Sequence, residues 1–475
     1  MLNKLYKSSI FTSWIAQGIK ILFNLITLPI VLKEFTAEEA NVWFLFFTII
    51  GIGQGIQLGF NTTFVRFISY SFSGVRIKEF MKLKEKKEKK FLKTVDINEF
   101  SNIFVVLKKT FIAITLVYIL VMGTLGTWSV FKPISYLQNF NEGWATWILI
   151  LGSSAVALYF TIYQIYLLGV NKVSLVNRII TLGNLLGIII VVLVSIYAAG
   201  LFSIFLVVQL ITILNGVACF YMSKRVNGNF LQKLPKSSFR KDVFIVVWDS
   251  AWKSGTTTIV ANIIKHISGV IVAQIFTPSV SATFLLTKRL FDILETFTQV
   301  TFQAKIPEVA SLRGMGDFER LIPLLKKVLY VSYGVFLSGV VVILFLGQDI
   351  LNLIKGNIEL GGPILLIAFC FSSLVNRWGG INLAISNQAN HIIEHISAII
   401  VFFVYFLFII LFYKSLGMLV FPLAMLISGI CTAPLIIKRV YKTLNTTFFK
   451  FEMKIFMPVL VALILISLIY FYSIQ

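Results

Sequence analysis

Residues 248–310 read WDSAWKSGTTTIVANIIKHISGVIVAQIFTPSVSATFLLTKRLFDILETFTQVTFQAKIPEVA. Two apolar segments, parted at Thr277-Pro278, are each long enough to cross a bilayer. Along the first, Ser254, Thr258, Ala261, Lys265 and Ser268 are spaced 4, 3, 4 and 3, which on an α-helix is a single stripe. Along the second, Asp292, Thr296, Gln299 and Gln303 repeat that spacing, with Lys288, Arg289 and Glu295 close beside them. A charge at the bilayer centre costs about 3 kcal/mol or more, so such faces turn toward a bundle interior or a wet cavity. Lys288 and Arg289 can equally snorkel to headgroups or pair with acids. Lys265 lies deep within its segment, where a place on the inward face is the better reading.

The same arrangement opens the chain. Sliding the sequence by 241 residues lays Ser13, Gln17, Lys20, Asn24 and Thr27 over Ser254, Thr258, Ala261, Lys265 and Ser268, and Phe35-Thr36 over Phe276-Thr277. A slide of 242 lays Gln54, Gln57 and Asn61 over Thr296, Gln299 and Gln303. Two polar stripes in register, with a matching turn, point to a duplicated half.

Composition sets the class. With 58% hydrophobic and 13% charged residues in 475, a soluble fold would have more apolar side chain than core to hold it; the mean hydropathy is +0.90. The expected fold class is therefore an all-α polytopic membrane protein, two homologous helical lobes around a central cavity. Cys219, Cys370 and Cys431 lie in apolar segments with neither disulfide nor metal-knuckle spacing. The net charge of +22 sits in loops between apolar segments, which is a topology signal facing anionic headgroups and not a nucleic-acid footprint.

In chain order, spans are expected at residues 11–32, 42–65, 104–128, 144–168, 179–198, 201–222, the pair within 243–310, then 328–346, 363–384, 392–412, 418–437 and 455–471. That makes thirteen, within a range of 12–14. The first resembles a signal peptide only superficially, because it is long, holds Lys20 and Pro29, and ends without a small-residue cleavage pattern. The run RIKEFMKLKEKKEKKFLK at 76–93 and the basic stretch 223–241 mark one side of the membrane. With the N-terminus cytoplasmic, loops on that side collect about thirty Lys and Arg against about four opposite. The domain organisation expected is a six-helix lobe at 1–222, a basic cytoplasmic linker at 223–242, a second six-helix lobe at 243–437, and a basic loop with an extra helix at 438–475.

Catalytic motifs are sparse. No GxxxxGK[ST] phosphate loop is present, so ATP hydrolysis on this chain is excluded. His391, Glu394 and His395 fit H-x-x-E-H, in which two imidazoles hold zinc and the carboxylate activates water. Five residues match cheaply, and a third protein ligand would have to come from elsewhere. Ordinary interfacial residues are the favoured reading, a proton-responsive or substrate-facing role comes next, and neither metal nor cofactor is expected.

The segment ATFLLTKRL at 282–290 followed by IPEVASL at 306–312, with NLITLPIVL at 24–32, Trp43 and LGFNTTFVR at 58–66, resembles the lipid-linked oligosaccharide flippases. These are the O-antigen and capsule transporters of the multidrug/oligosaccharidyl-lipid/polysaccharide exporter superfamily. The resemblance implies a secondary transporter of the bacterial cytoplasmic membrane, not an enzyme. It implies a two-lobed bundle whose cavity, lined by the first two helices of each lobe, opens alternately to the two sides. The cargo would be an undecaprenyl-diphosphate-linked oligosaccharide, with a polysaccharide polymerase and glycosyltransferases as further partners. Lys20 and Lys265 are then the expected diphosphate ligands, with Arg66, Lys253, Lys288, Arg289 and Arg377 behind them. Gln17, Asn24, Gln54, Gln57, Asn61, Gln299 and Gln303 would serve sugar hydroxyls. Asp249, Asp292 and Glu295 would bind a coupling proton or sodium ion, or else neutralise Lys253 and Lys288. The alternatives are a lipid-linked peptidoglycan precursor flippase, a multidrug exporter, and, from another class, an intramembrane zinc protease or glycan polymerase. A cation exporter would want an intramembrane carboxylate in the first lobe, whose first two spans carry Lys20 and Arg66 with no acid inside them.

Overall fold

The computed structural model describes residues 9–57, 59–72, 96–197, 200–303, 305, 308–309, 312, 317–354, 356–387, 394–444, 447 and 451–474. The lysine and glutamate run at 76–93 and His391 lie outside the described residues, as do the side chains of Lys253, Gln303, Glu394 and His395. What is described is helical, without strands. In order the helices are α1 (Ser9–Glu34), α2 (Ala37–Gly55), α3 (Phe60–Phe72), α4 (Ile97–Val121), α5 (Thr127–Ser135), α6 (Phe140–Gly169), α7 (Val173–Tyr197) and α8 (Leu201–Asn229). There follow α9 (Lys241–Ile275), α10 (Pro278–Gln303), α11 (Phe318–Val341), α12 (Gly347–Leu353), α13 (Pro363–Asn387), α14 (Glu394–Leu416), α15 (Val420–Thr443) and α16 (Phe456–Ile474).

Among the described residues ten helical segments are long and apolar enough to span a membrane, or eleven with the bent pair α2 and α3. The thirteen expected from hydropathy differ from this at two places. α10 falls short because Lys288, Arg289, Asp292 and Glu295 depress its hydropathy. The apolar run Ile396–Lys438 counts once, although α14 and α15 are parted by the tight turn Gly417–Leu419, where Gly417 takes φ +54°. A correction concerns the second span, expected to run unbroken from 42 to 65. The helix stops at Gly55 and restarts at Phe60, bent by 44°, with Gly59 at φ +69°. Gly55 and Gly59 were the legible warning.

The chain divides into two compact units, Met1–Ile30 with Phe46–Ile263, and Val31–Leu45 with Ile264–Gln475. In the first unit, Phe64, Phe67, Phe100, Phe104, Phe111 and Tyr166 from α3, α4 and α6 form a buried core. Val243, Val247 and Ala251 add one stripe of α9 to it, four residues apart. Helices in lipid gain little from apolar burial against one another, so close approach matters more. At Gly183 of α7 a methyl group would sit 2.1 Å from Asn215 Oδ1 of α8, so a larger residue there would have to push the Asn215 side chain aside.

The basic linker begins where α8 breaks. Val226 is extended, and Asn227, Gly228 and Asn229 follow in the left-handed region that Asn and Gly tolerate best. It is then pinned to the start of α4. Ser101 Oγ donates to Pro235 O at 2.7 Å, Ser237 Oγ donates to Asn102 Oδ1, and Phe230 sets its edge against Phe72 and Phe100.

Corresponding helices in the two halves share a detail of backbone. α4 is N-capped by Asp96, whose carboxylate accepts from Asn98 N and Glu99 N, and α11 by Asp317, which accepts from Arg320 N. Each then passes through one π-turn of five residues, Met122–Gly126 and Val342–Leu346, before continuing as α5 and α12. Such turns are rare, so their shared place supports a duplicated half.

In the second unit, Phe369 of α13 packs on Phe284 and Phe291 of α10, and Phe284 also meets Phe421 of α15. α16 joins this unit through Glu452, 3% exposed, just before the helix. Its Oε1 accepts from Trp378 Nε1 at 2.9 Å, from Asn382 Nδ2 at 3.3 Å and from the Tyr441 hydroxyl.

Candidate functional site

The charged face is built by α9 and α10 within the second unit. The i, i+4 spacing sets Lys288 over Asp292, with Lys288 Nζ 2.8 Å from Asp292 Oδ2. Lys265 reaches the other oxygen of the same carboxylate, Nζ to Oδ1 at 3.6 Å. Asp292 therefore bridges two lysines. Side-chain exposure grades from 15% at Lys288 through 21% at Asp292 to 42% at Lys265, so Lys265 is the lysine with an open flank. Glu295, one turn further, forms no close ion pair with a lysine among the described residues. Its two oxygens accept from Asn376 Nδ2 of α13 at 3.3 and 3.2 Å. Arg289 is half-buried beside Lys288.

Arg377 is placed apart from this group. Its Nη2 donates to Thr298 O at 2.8 Å and Ser332 Oγ at 3.2 Å, tying α13 to α10 and α11. Gln299 is exposed, and so is Asp249.

In the first unit Lys20 and Gln17 are exposed on α1. Asn24 spends its amide on Lys20 O at 2.9 Å, and Thr27 Oγ1 donates to Phe23 O at 2.9 Å. Gln54, Gln57 and Asn61 gather at the break between α2 and α3, where Asn61 Nδ2 donates to Gln57 Oε1. Arg66, a turn beyond, is exposed, with Nη2 3.4 Å from Thr63 Oγ1. The two stripes are buried alike. Gln17 and Thr258 are exposed, as are Lys20 and Ala261; Asn24 and Lys265 are half-buried; Thr27 and Ser268 are buried.

Chemically the face on α9 and α10 carries three cations, Lys265, Lys288 and Arg289, against two carboxylates, Asp292 and Glu295. Held within apolar helices, it offers an anion a partly compensated site, and a cation one acid, Asp292, already shared by two lysines and a second, Glu295, hydrogen-bonded to an amide. Asn376 escaped the sequence reading because its partner lies 81 residues away. No group of three His, Cys, Asp or Glu side chains able to hold a metal occurs among the described residues.

No protein-family model matches the chain, and no curated relative does. Solved structures do. One described as the inward-facing conformation of a multidrug resistance MATE family transporter of the MOP superfamily superposes with a TM-score of 0.64 at 14% identity, covering 93% of this chain and 100% of that one. The fold is that of the MOP-superfamily transporters. The lipid II flippase MurJ, in an inward closed conformation, gives 0.59 at 15% identity over 97% of each chain. A MOP-superfamily transporter from Pyrococcus furiosus, described as having a binding pocket of reverse polarity that suggests a different function, gives 0.59 at 13% identity, covering 94% of this chain and 98% of that one.

Proposed function

We propose that the chain is a secondary transporter of the bacterial cytoplasmic membrane that moves a polyprenyl-diphosphate-linked oligosaccharide, such as an O-antigen or capsule repeat unit, by alternating access. The observation that carries this reading is Lys265, an intramembrane lysine that shares Asp292 with Lys288 yet keeps 42% of its side chain exposed. The diphosphate is the part of such a cargo that resists the apolar core, and cations on a polar helix face offset its desolvation. Lys20, on the matching stripe of α1, is the second ligand, with Arg66, Lys288 and Arg289 as outer charges. The amides of Gln17, Gln54, Gln57 and Gln299 serve sugar hydroxyls. Arg377 is the weakest of the cations, its guanidinium being engaged with Thr298 O and Ser332 Oγ. Glu295, hydrogen-bonded by the Asn376 amide and in no close ion pair among the described residues, is the carboxylate we assign to a coupling proton or sodium ion. On this reading the moving parts are the lobes expected at 1–222 and 243–437, except that the α1–α2 turn and the first part of α9 are grouped the other way in the compact units, and a polymerase and glycosyltransferases would stand on either side of the transport step.

A lipid-linked peptidoglycan precursor is the second reading, supported by the likeness to MurJ and sharing the same diphosphate chemistry. Both demand cationic ligands. In cells lacking their own flippase, Lys20→Arg and Lys265→Arg are expected to restore surface polysaccharide, alanine variants partly, and the Lys20→Glu, Lys265→Glu double variant not at all, at equal membrane levels. Full polysaccharide from the well-expressed double variant would overturn the anionic cargo. Rescue of peptidoglycan synthesis instead of surface polysaccharide would decide for the second reading.

A further inference from the structure

An α-helix leaves its last four carbonyl oxygens without partners of its own. At the end of α1, two of these and one in the turn beyond are met by a single distant residue. Asn357, in the loop between α12 and α13, donates its backbone N–H to Leu32 O at 3.0 Å. Its side-chain Nδ2 donates to Phe35 O at 3.2 Å and, more weakly, to Lys33 O at 3.4 Å. A methyl group on the neighbouring Gly356 would sit 3.7 Å from Leu32 Cβ, and Leu32 is 1% exposed. The loop therefore covers the turn as well as bonding to it.

The division of the chain gives these contacts a consequence. Val31–Leu45 belongs to the second unit, whereas α1 up to Ile30 and α2 from Phe46 belong to the first. Pro29 stands immediately before the change. Proline has no N–H for the carbonyl four residues back and its ring crowds that carbonyl, so α1 is least stiff there. We propose that Asn357 is a latch that holds the α1–α2 turn in the second unit, and that its release, with α1 flexing at Pro29, frees the turn. Release has a place in a transport cycle only on the reading above, but the latch can be tested without any cargo.

The full chain, with exposed Cys431 changed to alanine and Leu32→Cys introduced as reporter, is placed in lipid nanodiscs and treated with a charged maleimide. With Asn357 intact the reporter is expected to label slowly. Asn357→Ala keeps the backbone bond and removes both side-chain bonds, which should speed labelling about tenfold. Asn357→Asp is close to isosteric and turns acceptors toward the carbonyl oxygens of Lys33 and Phe35, so it should label at least as fast. Cys370, fully buried in the same unit, reports whether the fold has stayed intact. Unchanged reporter labelling in both variants overturns the latch. So does labelling of Cys370 in step with the reporter, since Asn357 would then hold the fold as a whole.

Discussion

Asp292 sits between Lys288 and Lys265, giving one carboxylate oxygen to each. In an apolar helix an unpaired charge is costly, so the three groups depend on one another. Asp292→Asn leaves two lysines without their counter-charge and is expected to lower stability by about 2–4 kcal/mol, read as a fall in thermal midpoint in detergent. Adding Lys288→Gln should recover part of the loss, because one stranded cation is removed with the acid. No recovery would mean that the pair is not the source of the effect. The 4, 3, 4, 3 spacing made this face legible in the sequence, since neighbours on a helix surface follow from the repeat alone. Asn376 and Asn357 were not legible. A lone asparagine in an apolar segment or a loop says nothing of a carboxylate 81 residues off or of carbonyls more than 320 residues away.

At the scale of elements, hydropathy located nearly every helix but misjudged continuity. α2 and α3 part at two glycines among Gln54, Gln57 and Asn61, yet the pair together is still apolar enough for one span, so span-length hydropathy does not mark the gap. The π-turns after α4 and α11 are invisible for the same reason. The helix least secure in the sequence was α16, unpaired at the end of the chain, and its anchor is a buried carboxylate. Glu452→Ala strands the Trp378 indole, the Asn382 amide and the Tyr441 hydroxyl without their shared acceptor, and should cost about 3 kcal/mol or more, at roughly 1 kcal/mol or more for each stranded donor. Glu452→Gln keeps an acceptor oxygen and should lose less than half as much. Chemical or thermal denaturation in detergent, with Trp378 emission as a local signal, separates the two. Equal losses would place the anchoring in the Phe456 contacts with Tyr333 and Trp378 instead.

For the whole molecule, duplication was legible as two polar stripes and agrees with the matched burial along them. Orientation rests on charge. Translocating the lysines and arginines of the linker would be expensive, so the stretch that holds Lys233, Lys236, Arg240 and Lys241 is expected on the cytoplasmic side. Ser101, though near that side, is buried and donates to Pro235 O, so a cysteine there would be shielded from both faces. Ser238 is exposed on the linker, and Gln138 is exposed in the turn between α5 and α6, which the same topology sets outside. In a chain lacking Cys431, Gln138→Cys should react with an impermeant maleimide in intact cells. Ser238→Cys should react only once the membrane is opened. Both positions lie outside the apolar helices, so the substitutions leave the bundle untouched and a failure to label reads as sidedness. Labelling of Ser238→Cys from outside would invert the topology, and with it the side from which the proposed diphosphate cargo would reach Lys265.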